Sequence, residues 1–181
     1  LDVDRAALGA LDAVARDVGP RLGAALAGMR QRFGLQSSSA AYFHHPMALP
    51  VLELPAWAST GVAPERRDAA VGAAALGYLH VRLRDDQLDE GVGGAEALLT
   101  ADILMVHHLA LLEVAGGSRA TIRSAAGRWW RAYAEAMLLE NALQRGEVAW
   151  TKETHAQALD RSMPLLLPPL ALMADPVAHE P

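Results

Sequence analysis

Apolar positions along this chain recur at three- and four-residue intervals, the repeat of helices that bury one face. Ala7, Leu8, Leu11, Val14 and Ala15 share such a face, which predicts a helix over about 4–18. Gly19-Pro20 ends it and opens a second helix over 20–33, closed by Gly34. A polar, Ser-rich loop is expected over Gln36 to Ala41. Pro46, Pro50 and Pro55 then exclude a long helix from an apolar segment, leaving room for a short one before Ser59. Further helices are expected over 65–90, over 95–115, over 119–145 (capped by Ser118 and stopped by Gly146) and over 152–163 (capped by Thr151). Pro164, Pro168 and Pro169 break the segment over 164–174. The expectation is an all-α fold in a single domain over 1–181. The 95–115 helix is apolar around most of its circumference and is expected to be central, with Asp102, His107 and His108 as polar intrusions at the core edge.

The 65–90 helix ends in Asp85, Asp86, Asp89 and Glu90 and runs into Gly91, Gly93 and Gly94. Residues three and four apart share a helix face, so these acids continue a stripe that passes back through Arg82 and Tyr78 to Val71. The end of a helix already carries the negative pole of its dipole, so each acid there is disfavoured by about 0.3–1 kcal/mol. Like charges one turn apart add a few tenths of a kcal/mol per pair. Something positive must compensate. A hard divalent cation such as Mg2+, held through a few carboxylates with phosphate supplying further ligands, would do so. A solvated helix end with an Arg82–Asp86 pair is the plainer alternative.

The run Leu83-Arg84-Asp85-Asp86-Gln87-Leu88-Asp89-Glu90 resembles the first aspartate-rich motif of the class I isoprenoid synthases, the terpene synthases and trans-prenyltransferases. The resemblance spans about Pro64 to Ala174 and, outside the acidic motif, is one of helix pattern. It implies an isoprenoid-synthase-type helical bundle, incomplete in this chain. It also implies a prenyl diphosphate substrate and Mg2+ held by Asp85, Asp86, Asp89 and Glu90, with the three aspartates as the catalytic set. Arg82, Lys152 and Arg161 are the implied diphosphate ligands. Tyr78, Trp130, Tyr133 and Met137 are candidate cavity-lining residues, the last three being spaced i, i+3, i+7 on the 119–145 helix. Such aromatics can stabilise a carbocation, although an aromatic and Met stripe is more often plain core.

Two departures qualify the resemblance. No second acidic metal-binding motif lies before Pro181, and Glu135 and Glu140 are five apart. The chain also lacks the Arg pair and the Gly-Lys site of enzymes that add isopentenyl diphosphate, which puts cyclisation ahead of chain elongation. The competing expectations are a non-catalytic helical interaction or scaffold domain, and an all-helical diphosphate hydrolase, which needs an acidic partner motif.

Composition narrows the field further. A net charge of -5 argues against a nucleic-acid partner. With no cysteine, disulfide scaffolds and thiolate chemistry are excluded, and a cytoplasmic location is expected. No apolar run looks long enough to span a membrane, since His107 and His108 split the longest one. A homodimer would suit the implied fold. The start on Leu1 and the end on Pro181 suggest a trimmed chain.

Overall fold

The computed structural model describes residues 3–35, 41–46, 48–116 and 120–173, and among them all regular structure is helical. The helices are α1 (Val3–Asp17), α2 (Pro20–Arg32), α3 (Leu49–Trp57), α4 (Pro64–Glu90), α5 (Gly94–Gly116), α6 (Ala120–Gln144), α7 (Lys152–Ala158) and α8 (Leu167–Met173). Short 3-10 stretches cover Ala41–His44 and Leu159–Leu166. The expected Ser118 cap, most of the Ser-rich loop and Ala174 lie outside the described residues.

Local chemistry explains the boundaries. Pro20, Pro50 and Pro64 each sit in the first turn of their helix, where the missing N–H costs nothing. Gly91 ends α4 in the left-handed region at φ 66°, which a residue without a Cβ adopts freely. Thr151 caps α7, its hydroxyl accepting from the Thr154 N–H while Thr154 answers reciprocally. The continuous helix expected over 152–163 is corrected. The α-helix stops at Ala158, the 3-10 stretch carries Pro164, and α8 begins with Pro168 and Pro169 in its first turn.

The central element is α4. From Ala69 to His80 every residue except Tyr78 is buried. Its Ala and Gly content lets neighbours approach closely: a Cβ on Gly72 would stand 2.9 Å from that of Ala10, and one on Gly77 would stand 2.8 Å from the His108 ring. One core, on the side of α1, α2 and α3, gathers Leu11, Val14, Leu26, Phe43, Leu52 and Leu79. A second, against α6 and α8, gathers Ala69, Ala73, Ile122, Ala126, Leu167 and Leu172.

The expectation for the 95–115 helix fails. As α5 it packs along α4 with its inner face only, leaving Leu99, Val106, Leu109 and Val114 exposed. Apolar character permits burial without enforcing it, and here no described helix covers the outer side. Considered whole rather than as split runs, α5 is also long and apolar enough to cross a membrane by length and composition alone. Its inner face is nevertheless fitted to the bundle through buried Thr100 and His108.

Candidate functional site

The acidic end of α4 is met by three arginines from three elements. On the α2 side, Arg32 hydrogen-bonds Oδ2 of Asp86. Arg82 Nη2 stands 2.7 Å from Asp86 Oδ1, charge-paired although off the line of a good hydrogen bond. Asp86 is 7% exposed, so this double pairing is what makes its burial tolerable. Tyr42 and Tyr78 lie beside it, their rings tilted with centroids 6.0 Å apart. Burial, helped by the neighbouring Tyr78, pushes the Tyr42 hydroxyl well above its ordinary range.

On the α6 side, Asp85 is held more loosely. Arg82 Nη1 is 3.4 Å from its Oδ2, and Arg161 Nη1 is 3.6 Å from its Oδ1. The second distance suits an ion pair but not a hydrogen bond, and Oδ1 is buried without a donor among the described residues. Burial raises the Asp85 carboxyl above its ordinary value, and Asp89 and Glu140 push the same way against Arg161 and Arg82. Arg161 itself hydrogen-bonds Glu140. Asp89 and Glu90 are exposed at the helix end, with Gln144 Nε2 3.3 Å from Asp89 Oδ1.

The positive charge anticipated at this helix end is thus present as guanidinium. Asp85, Asp86 and Glu140 face Arg32, Arg82 and Arg161, three against three. Of the implied diphosphate ligands, Arg161 pairs with Asp85 and Glu140, whereas Lys152 is exposed at the first turn of α7 with no ion pair among the described residues. Among those residues no three His, Asp or Glu side chains converge to hold a metal. Asp86 is fully engaged by arginine and does not suit a ligand's role. Asp85 does, because an orphaned buried carboxylate oxygen, with Asp89 one turn on, matches a Mg2+ that keeps few protein ligands and takes the rest from phosphate.

Beside this end, a cleft of about 650 Å³ opens between α4, α5 and α6. Trp130, Tyr133 and Met137, which share one stripe of α6, line it together with Leu88, Met105 and Leu138. Tyr78 does not. It faces Tyr42 and Phe43 in the core on the opposite side of α4, because a residue two positions before His80 points almost the other way. Tyr133 links cleft and acids: its hydroxyl is buried without a partner among the described residues, and burial followed by the Asp85 charge raises its pKa. A cavity of similar size between α1 and α2 includes Arg30, already spoken for by Asp12 at 2.6 Å.

Sequence reasoning missed Arg32, Glu140 and His80. Glu140 continues the i, i+3, i+7 stripe of Trp130, Tyr133 and Met137 at i+10, a signal present in the spacing. Nothing local pointed to Arg32, which comes from 54 residues away. His80 lines the cleft, buried, with Nδ1 2.8 Å from the Ala101 carbonyl. His108, expected at the core edge, is fully buried instead. Its Nδ1 is 2.7 Å from the Ala73 carbonyl, and its Nε2 accepts from Trp130 Nε1 at 3.3 Å. Burial lowers it to about 4.

The chain matches no family model, no curated protein and no solved structure.

Proposed function

We propose that this chain is an isoprenoid-synthase-like helical module that binds a prenyl diphosphate, its hydrocarbon tail in the α4–α5–α6 cleft and its diphosphate at the Asp85–Arg161 end. The observation that carries the reading is the adjacency of an aromatic-walled apolar cleft to a carboxylate–arginine cluster in which Asp85 is only loosely paired. Such a ligand is amphiphilic, and each of its halves meets matching chemistry.

The chain's own residues supply most of what binding requires. Arg161 and Arg82 can turn from carboxylate to diphosphate oxygens, exchanging one charge-assisted contact for another. Asp85 and Asp89 would hold Mg2+, whose contribution is to neutralise charge on the departing diphosphate. Trp130, Tyr133 and Met137 keep water from the reacting carbon, and the two aromatic rings offer their faces to positive charge. Asp86, through Arg32 and Arg82, fixes the helix end that presents Asp85. Cyclisation or another single-substrate ionisation is favoured over elongation, since the chain lacks the residues for a second diphosphate substrate.

The test is calorimetric titration of inorganic diphosphate with and without Mg2+, on this protein and on Asp85→Ala/Asp89→Ala. Metal-dependent binding in the parent, lost in the double variant, is the expected result. Absence of binding in both sinks the reading. One observation favours a second reading, a non-catalytic interaction domain: the three arginines already balance the three inward acids. Under it, diphosphate does not bind and the double variant is merely a little more or less stable than the parent.

A further inference from the structure

We propose that the α4–α5–α6 cleft binds an apolar molecule carrying one neutral hydroxyl, which donates its proton to Nε2 of His80. The two buried histidines of this region differ in one respect that decides the matter. His108 uses both ring nitrogens inside the protein, one on Ala73 and one on Trp130. His80 uses only Nδ1, against the Ala101 carbonyl at 2.8 Å. A carbonyl can only accept, so Nδ1 carries the hydrogen and Nε2 of the neutral ring keeps its lone pair. Burial favours that neutral form by lowering the imidazole pKa.

His80 is 5% exposed, yet Nε2 has no partner among the described residues and is not among the sealed polar atoms. Its opening is into the cleft, which His80 lines. The ring is held there edge-to-face against Trp130, with centroids 5.1 Å apart. A fixed tautomer on a held ring is a pre-organised acceptor.

The rest of the cleft selects the kind of molecule. Met105, Met137 and Leu138 give an apolar wall for a hydrocarbon chain. The charges of the two cations at its rim are balanced, Arg84 by Asp102 through Nη2, with Nε buried and without an acceptor among the described residues, and Arg145 by Glu147 at 2.7 Å. An anionic head group therefore finds no free counter-charge in the cleft itself. A carbonyl has no hydrogen to give Nε2, and an amine arrives charged. A hydroxyl on an apolar chain meets both demands. This inference stands on the histidine geometry and needs neither diphosphate nor metal.

The test compares 1-decanol with its methyl ether, which has the same oxygen and no hydrogen to donate, by calorimetric titration. The alcohol is expected to bind about tenfold more tightly, the worth of one hydrogen bond of this kind. The gap should close in His80→Phe, which keeps a flat ring between Trp130 and Tyr133. Both ligands should weaken in Leu138→Trp, a change at an exposed position at the cleft. Equal affinities, no binding of either ligand, or a gap that survives in His80→Phe would each overturn the proposal. Should His80→Phe not fold, the 15N resonance of Nε2 in the parent decides. Alcohol must move it while ether leaves it in place, and an unmoved resonance is fatal. Inorganic diphosphate titrated into the same sample reads the Asp85–Arg161 end separately, so either site can fail alone.

Discussion

Asp85 and Asp86 are chain neighbours on one helix, yet they meet opposite surroundings. Asp86 turns toward α2 and has both oxygens paired, by Arg32 and Arg82. Asp85 turns toward α6, where its cations stand farther off, Arg82 at 3.4 Å and Arg161 at 3.6 Å, against 2.7 Å from Arg82 to Asp86 Oδ1. The histidines repeat the contrast at the α4–α5 contact, where His108 has both nitrogens bonded and His80 has one left over. Closed polar groups hold the bundle together. Open ones that line the cleft, His80 and Tyr133 among them, are where a ligand has something to gain.

The contrast is sharpest at His108. Its pKa falls from 6.5 to about 4 on folding, so between those values the unfolded chain binds more protons than the folded one. Stability is therefore intact above pH 6.5 and drains as pH falls toward 4, by about 3 kcal/mol in all. Urea unfolding of the parent and of His108→Gln across this range isolates the effect as the difference between their pH slopes. Parallel slopes would mean that His108 is not the sealed group described here.

A smaller effect is expected on the closed carboxylate. Asp86→Ala strands Arg32 and Arg82, and the cost is about 2 kcal/mol, the buried-pair value discounted because both guanidiniums are partly exposed. Denaturant midpoints would measure it. Smallest is the change in stability of Asp85→Asn, within about 0.5 kcal/mol of the parent. Removing a desolvated charge offsets the loss of two long ion pairs, while diphosphate binding disappears. If Asp85→Asn were as damaging as Asp86→Ala, the two sides of the helix end would not differ in kind.

Much of the fold was legible because it is written locally. The helix from Pro64 to Glu90 was marked by a proline at its start, small apolar residues along it and glycines at its end. The stripe of Trp130, Tyr133 and Met137 declared its shared face through spacing alone. The site was legible only in part. Charge crowding at Asp85, Asp86 and Asp89 announced that compensation was needed, but the compensating groups came from α2 and from the 3-10 stretch after α7. An aspartate signals its need through its neighbours in the chain, whereas the identity of its partner is a matter of distance in space.

The sequence by itself determined that this protein is helical, where the helices before Thr151 begin and end to within a few residues, and which helix carries an acidic end that cannot stand alone. Those features depend on backbone geometry and residues within a few turns, which the chain order states directly. Only the tertiary structure decided that α4 rather than α5 lies at the centre, that arginines meet the acids, and that His80 opens into a cleft while His108 is sealed. Each of these turns on how whole helices pack, and a side chain rotated one position along a helix moves by about 100° to face a different neighbour.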